Sequence, residues 1–269
     1  MKTTEQDSHY NNLEQLSARE IIEGINAEDH LVADAVQKTL PQVEILVKGI
    51  VERVHRGGRI FYIGAGTSGR LGVVDASEIP HTYGVHGLFI GVIAGGPSAM
   101  FNAVEGAEDN ELGAWEDLRQ YSPAENDVLV GIAASGTTPY VTGGIRDARK
   151  HGMFTACITC NDNAPVAAEA EIPIVAVVGP EFVTGSTRMK AATAQKMILN
   201  MISTATMILL GKVKGNKMFD MQLSNAKLVD RGTRMIMEAT GITDYGKAKT
   251  ALLQHGSVRR AVPALKADK

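Results

Sequence analysis

The chain has 269 residues, 44% of them hydrophobic and 21% charged, and a formal net charge of −3. This length and composition predict one large or two smaller globular domains and exclude an intrinsically disordered protein. The balance of 27 basic against 30 acidic side chains disfavours nucleic-acid binding.

Membrane and secretory signals are missing from the sequence pattern. The least charged stretch, residues 201–210, is too short and too rich in Ser and Thr to span a bilayer. Residues 1–10 are polar and lack the apolar region of a signal peptide. Two cysteines do not make a disulfide framework. We therefore expect a cytoplasmic protein without a membrane partner.

The first segment, residues 13–55, has helical periodicity. Ser17 and Glu20 fit a capping box ahead of an apolar run. Pro41 suits the first turn of a second helix, and Gly57 marks the end of that helix. An all-helical segment over residues 1–57 is therefore predicted.

Five short runs rich in Ile and Val then alternate with segments of helical length. The runs cover residues 59–63, 88–94, 127–133, 154–159 and 172–178. Strands that alternate with helices indicate a parallel sheet with helices on both faces. We predict an α/β fold, a flavodoxin-like three-layer sandwich with a five-stranded parallel sheet, over residues 58–216.

The remainder of the chain returns to helical patterns. A Met- and Ala-rich helix is predicted over residues 187–210, followed by a loop over 211–217. From residue 225 onward, short helices are predicted, divided at Gly241 and Gly256. Residues 217–269 are therefore expected to form a helical C-terminal segment.

A glycine-rich loop, residues 64–69, follows the first predicted strand and matches G-x-G-x-x-G. A dinucleotide site would need a carboxylate at the end of the second strand, where residues 94–96 are Ala-Gly-Gly. The hydroxyls of Thr67 and Ser68 suit a phosphate monoester or sugar hydroxyls equally well. A turn that binds no ligand remains an alternative for this loop.

Two further loops of small and hydroxyl-bearing residues follow predicted strands. Ser135, Thr137 and Thr138 come after the third strand, and Ser186 lies in the stretch 184–188 after the fifth. Each could be only a helix N-cap. Because all strands of a parallel sheet end at one edge, three such loops together favour a polyol-phosphate site.

Carboxylates close to these loops are candidates for acid–base chemistry. Glu78 lies near the end of the helix that follows the first loop, where Pro80 is expected to break the helix. Glu105 and Glu108 follow the second strand. Acid–base catalysis at a sugar needs two carboxylates, one ionised and one protonated.

Thiols and imidazoles carry weaker signals. Cys157 and Cys160 form a C-x-x-C pair that finishes a predicted buried strand, which favours two packed thiols over a redox pair. His81 and His86 lack a third nearby ligand, so we expect no metal site.

Four stretches of the sequence, 62–72, 103–109, 182–190 and 215–228, resemble the sugar isomerase (SIS) domain superfamily. The resemblance is closer to the N-acetylmuramic acid 6-phosphate etherases and more distant to the glucokinase regulatory protein. It implies a SIS-type fold, usually dimeric. It also implies cleavage of the D-lactyl ether of N-acetylmuramic acid 6-phosphate in peptidoglycan recycling, with no metal or organic cofactor.

The resemblance also assigns roles to individual residues. Glu78 matches the acid that protonates the departing lactate, and Glu108 matches the base at C2. The groups expected to hold the sugar phosphate are Gly66, Thr67, Ser68, Glu105, Ser135, Thr137, Thr138, Ser186 and Lys190. The chain departs from the family where residues 79–81 read Ile-Pro-His in place of Cys-Pro-Pro.

Two other functions fit the same domain. One is an aldose–ketose isomerase, which would give a ketose phosphate and no lactate. The other is a non-enzymatic sugar-phosphate sensor, which sugar phosphates would stabilise against heat without turnover.

Overall fold

The structure is a computed structural model that describes residues 2–267. It divides into two compact units. The larger contains the residues up to Ala76 and Leu88–Thr206, and the smaller contains Ser77–Gly87 and the residues from Met207 onward. No helix within residues 2–267 is long and apolar enough to cross a membrane. The division into three segments at residues 57 and 216 stays a prediction.

The larger unit opens with two helices, α1 (Ala18–Gln37) and α2 (Leu40–His55). The predicted capping box is confirmed: the Glu20 N–H donates to Ser17 Oγ at 3.3 Å, and the Ser17 N–H donates to Glu20 Oε2 at 2.8 Å. Pro41 lies in the first turn of α2, where a missing N–H costs no hydrogen bond. Local sequence chemistry thus sets both helix starts.

Five parallel strands form the sheet, in the order β2-β1-β3-β4-β5. Their bounds are Ile60–Gly64 (β1), Phe89–Ile93 (β2), Val128–Ile132 (β3), Phe154–Thr159 (β4) and Ile172–Val175 (β5). The predicted α/β fold with a five-stranded parallel sheet is confirmed. The central strands β1 and β3 are buried along their whole length, which explains their continuous apolar runs.

Helices cover both faces of this sheet. Their bounds are Gly66–Tyr83 (α3), Gly113–Arg119 (α4), Pro139–Lys150 (α5), Pro165–Glu169 (α6) and Lys190–Leu209 (α7). On one face, Gly131 of β3 lets Val141 and Ile145 of α5 approach its backbone closely. On the other face, Gly72 of α3 packs against Tyr62 and Ile132. Because successive side chains of a strand point to opposite faces of the sheet, alternate residues pack into two hydrophobic cores, one on each face.

In the smaller unit, the helices that follow α7 are α8 (Ala226–Thr240), α9 (Tyr245–His255) and α10 (Val258–Ala267). The divisions predicted at Gly241 and Gly256 are confirmed, since both residues end a helix with a positive φ. Residues 211–217 are not simply a loop, because two-residue strands pair around Gly215 and Asn216. Gly215 has φ +62°, which lets the chain reverse in a two-residue turn.

Two predicted boundaries are wrong. Pro80 does not end α3, which continues to Tyr83. A proline removes one donor from the helix ladder, and the Gly84 N–H still bonds the Pro80 carbonyl at 2.9 Å. The long helix α7 begins at Lys190 rather than at residue 187, because the Met189 N–H bonds the Ser186 carbonyl in a turn.

We predict that Gly69→Ala destabilises the protein by about 1–3 kcal/mol, measured by urea unfolding. A Cβ at this position would lie 2.6 Å from the carbonyl oxygen of Gly64, a backbone atom that cannot move aside freely. Gly72→Ala is the matched control on the same helix. Its Cβ meets Ile132 Cδ1 at 3.0 Å and Tyr62 Cβ at 3.1 Å, side-chain contacts that a shift of a few tenths of an ångström relieves, and alanine favours the helix by about 1 kcal/mol. Equal destabilisation by both changes would contradict the prediction.

Candidate active site

The strand order determines where a ligand can bind. Strand β1 pairs with β2 on one side and with β3 on the other, so the chain reverses its direction of winding between β1 and β3. In open parallel sheets, ligands bind in the crevice at this switch point, outside the carboxyl ends of the strands. The loops after β1 and β3 flank that crevice.

The loop after β1 passes at once into α3, which begins at Gly66 with φ +52°. Free N–H groups and the positive end of a helix dipole at this point favour an anion. Thr67 is half-buried. Ser68 is buried, and its hydroxyl donates to Gln195 Oε1 on α7 at 2.9 Å. The buried Ser68 side chain therefore joins α3 to α7.

The loop after β3 brings three hydroxyls together. Ser135 Oγ and Thr137 Oγ1 lie 3.1 Å apart, and the Thr137 N–H donates to Ser135 Oγ at 3.3 Å. Thr138 follows as the N-cap residue of α5, in extended backbone. All three side chains are half-buried. This loop has the exposure and the donors that a phosphate or a sugar hydroxyl needs.

The loop after β5 contains Ser186, which is half-buried. The loop is closed at its base by Glu181, whose carboxylate accepts the N–H of Lys190 at 2.8 Å and that of Ala191 at 2.9 Å. Burial raises the pKa of Glu181, while these two backbone donors oppose the shift. The start of α7 is therefore capped by a buried carboxylate that lies nine residues before it in the sequence.

Lys190 lies deep in the larger unit. It is 2% exposed, and its ammonium forms an ion pair with Glu28 of α1. A buried cation that is already paired is a structural group, because releasing it would leave both charges unpaired in a poorly solvated interior. This buried ion pair argues against the expected role of Lys190 in holding the substrate.

Carboxylates and the first loop share one cavity of about 170 Å³. Gly66, Arg70, Glu105 and Glu108 line it, together with small side chains of the segment that follows β2. The residues of that segment are Ala94, Ala99, Ala103, Val104, Gly106 and Ala107. The structure thus brings together Gly66, Glu105 and Glu108, three residues selected from the sequence.

Arg70 is a further lining residue that the sequence reasoning missed as a site residue. Its Nε donates to the Met100 carbonyl at 3.1 Å, which fastens the segment after β2 to α3. Helical spacing could have indicated this position, because Arg70 is four residues after Gly66 and so lies on the same face of α3. Arg70 gives the cavity a positive charge beside two carboxylates.

Glu78 belongs to the smaller unit, where its side chain is exposed near the end of α3. Its role stays a prediction.

Cys157 and Cys160 are buried free thiols, as predicted. Burial raises the pKa of each to about 12, so both remain protonated and unreactive at neutral pH. Among residues 2–267, no group of three or more His, Cys, Asp and Glu side chains is arranged to hold a metal ion.

The central part of this chain is similar to a SIS domain. Residues 42–149 match the family of the glucokinase regulatory protein N-terminal SIS domain. Among solved structures, a protein of Escherichia coli CFT073 is 17% identical and covers 75% of this chain and 97% of its own, with a TM-score of 0.54. Phosphoheptose isomerase from Neisseria gonorrhoeae is 17% identical over 71% of this chain and 98% of its own, with a TM-score of 0.54. At these identities the likeness concerns the fold alone.

Full-length relatives identify the family more narrowly. The N-acetylmuramic acid 6-phosphate etherase of Bacteroides fragilis YCH46 is 62% identical over 99% of this chain and 95% of its own length. The etherases of Bacteroides thetaiotaomicron and Christiangramia forsetii are 61% and 59% identical over 95% and 97% of their lengths, covering 98% and 99% of this chain. The chain belongs to the N-acetylmuramic acid 6-phosphate etherase family.

We predict that Lys190→Met destabilises the protein by about 3–5 kcal/mol, because it leaves the buried carboxylate of Glu28 unpaired. Adding Glu28→Leu removes that charge and restores most of the lost stability, as measured by urea unfolding.

The double variant also tests the role of Lys190. If Lys190 holds the substrate, this stable variant loses affinity for N-acetylglucosamine 6-phosphate in calorimetry; we expect its affinity to stay within about threefold of wild type.

Proposed function

We propose that this protein cleaves the D-lactyl ether of N-acetylmuramic acid 6-phosphate, giving N-acetylglucosamine 6-phosphate and D-lactate. One observation carries the proposal: relatives bearing the name of that activity are about 60% identical over nearly the whole chain. The shared cavity of Gly66, Glu105 and Glu108 supports it, because carboxylates beside an anion-binding loop are what the reaction requires.

The chemistry is an elimination followed by an addition. In the open-chain sugar, the aldehyde acidifies the proton at C2, and a base removes it. Lactate then leaves C3 as an acid protonates its oxygen, which gives an unsaturated aldehyde. Water then adds at C3 as the same carboxylate, now ionised, removes its proton, and the protonated base returns a proton to C2, which gives the product and restores both carboxyl groups. Two carboxylates that alternate between acid and base forms are sufficient for these proton transfers.

We assign the base at C2 to Glu108 and the acid at C3 to Glu78. Glu108 lines the cavity with Gly66, whose N–H groups at the start of α3 favour an anion there. Arg70 adds a positive charge, which stabilises the negative charge that develops on the substrate during deprotonation. Glu105 shares this cavity, and we assign to it the acceptance of hydrogen bonds from sugar hydroxyls.

The hydroxyl loops are assigned to the phosphate and the remaining hydroxyls of the substrate. The assignment covers Thr67, Ser135, Thr137, Thr138 and Ser186, with the backbone N–H of Ser68. Their half-buried side chains leave donors available at the carboxyl edge of the sheet. No metal or organic cofactor enters this mechanism.

A homodimer in the cytoplasm completes the proposal. Large apolar side chains lie exposed on α1 and α2, namely Ile22, Leu31, Leu40 and Ile45. Exposed apolar groups on neighbouring helices favour association with a second copy. Light scattering after gel filtration should give twice the mass of 28.7 kDa; a monomer at micromolar concentration would contradict this part.

We predict that Glu78→Gln and Glu108→Gln separate the two proton transfers. Each change should lower D-lactate release by about 10²–10⁴. In D₂O, Glu78→Gln should still exchange the C2 proton of the substrate, because the base is intact, whereas Glu108→Gln should not. Proton NMR at C2 and an enzymatic D-lactate assay measure the two steps.

The matched control for these variants is Glu116→Gln, which changes an exposed carboxylate on α4 outside the cavity. It should release lactate at the wild-type rate. Lactate release within tenfold of wild type by Glu78→Gln would contradict the assigned acid. Loss of C2 exchange in both variants would contradict the separate roles.

The same purified protein distinguishes etherase from isomerase. With N-acetylmuramic acid 6-phosphate we expect stoichiometric D-lactate, and with glucosamine 6-phosphate or glucose 6-phosphate we expect no fructose 6-phosphate. Fructose 6-phosphate without lactate would establish the isomerase. Stabilisation against heat by sugar phosphates with neither product would establish the sensor.

A further inference from the structure

The residues Lys2–Tyr10, which we call the N-terminal arm, contact two of the three hydroxyl loops. The contact with the loop after β3 is made by Lys2 and through Asn161, and the contact with the loop after β5 is direct. These strands are not neighbours, because β4 lies between them. The arm is therefore a separate link between loops that the sheet itself holds apart.

The first contact is made through Asn161, a residue 1% exposed just after β4. Its Oδ1 accepts the Thr4 N–H at 3.0 Å, and its Nδ2 donates to Thr4 Oγ1 at 2.9 Å. The same Nδ2 lies 3.1 Å from the carbonyl oxygen of Ala134 and 3.2 Å from that of Ser135. Both functional atoms of a buried amide thus join the arm to the backbone of the loop after β3.

The second contact is made four residues later in the arm. The Ser8 N–H donates to Thr184 Oγ1 at 2.9 Å, and Ser8 Oγ donates to the Phe182 carbonyl at 2.7 Å. The ring of Tyr10 packs on that of Phe182, with centroids 4.6 Å apart. These bonds fix the loop that carries Ser186 from its outer side, while Glu181 fixes its base.

The arm also brings a cation to the first of these loops. Lys2 Nζ donates to Thr137 Oγ1 at 2.8 Å, and the lysine side chain is exposed. An ammonium beside a cluster of hydroxyls strengthens the attraction for a phosphate. The contacts of the arm therefore concern the hydroxyl loops rather than the cavity of Glu105 and Glu108.

We propose that the N-terminal arm is a positioning element, which holds the loops 135–138 and 184–187 at the separation that the phosphate of the substrate requires, with Asn161 as its buried anchor. The proposal rests on the proposed function, since it assumes that these loops bind a sugar phosphate. Asn161, Thr4 and Ser8 act through the loops and touch no reacting atom. Their loss should weaken binding and leave the chemical step nearly unchanged.

The test is the double variant Thr4→Val/Ser8→Ala. Valine keeps the shape of threonine but removes the acceptor for Asn161 Nδ2, and alanine removes the donor to Phe182. We expect the Kd for N-acetylglucosamine 6-phosphate, measured by calorimetry, and the KM for the substrate to rise about tenfold, with kcat within about twofold of wild type. Thr4→Ser, which keeps the hydroxyl, should bind like wild type.

The matched control is Ser17→Ala, which removes the capping box of α1 and lowers stability by about 1 kcal/mol outside the arm. It should leave Kd and KM unchanged. The proposal is overturned if the double variant binds like wild type, if its kcat falls as much as its affinity, or if Ser17→Ala weakens binding equally.

Binding and turnover also keep this proposal separate from the etherase assignment. If wild-type protein binds N-acetylglucosamine 6-phosphate but releases no lactate from the muramic acid substrate, the etherase assignment fails. A tenfold weaker Kd in the double variant would still support the arm. If the wild type releases lactate and the double variant binds normally, the arm fails and the etherase assignment holds.

Discussion

The parallel direction of all five strands is the constraint on which the rest of this structure depends. Each strand must be followed by a crossover, and each delivers its carboxyl end to the same edge of the sheet. Loops far apart in sequence, after β1, β3 and β5, are thereby brought to one side. A helix starts after each of these loops; Glu181 accepts the first two N–H groups of α7, whereas the start of α3 follows the glycine-rich loop and offers its N–H groups to a ligand. An anion is the ligand that best satisfies such groups.

Loops at such an edge need support, because the small residues that let a ligand approach pack poorly and cost conformational entropy to order. The chain meets this need with buried polar groups. Glu181 binds two N–H groups at the start of α7, and Asn161 joins a carbonyl of the loop after β3 to Thr4. Removing one partner from such a buried bond costs more than an exposed bond contributes. The loops are therefore held by interactions that water does not weaken.

Sequence patterns predicted the features that depend on near neighbours in the chain. The strands, the capping box of Ser17 and the helix ends at Gly241 and Gly256 follow from local composition and spacing. The helix end predicted at Pro80 was wrong, because the loss of a single N–H donor does not end a helix whose other hydrogen bonds remain. The partner of Lys190 could not be predicted, since Glu28 is 162 residues away and only the folded chain brings the two together.

Because local patterns do not report contacts between distant residues, the sequence indicated only some parts of the candidate site. Glu105 and Glu108 line the cavity and are exposed. A residue that reacts with a ligand must be polar and accessible, and a polar residue in a loop is visible in the sequence. Asn161 and Glu181 are buried polar residues, and their spacing in the sequence gives no sign of the backbone groups they bind. A group that transfers protons works best in contact with water or ligand, whereas a group that fixes a loop works best when dry. In this fold the cavity carboxylates are exposed and the groups that fix the loops are buried, and local sequence chemistry indicated only the exposed ones.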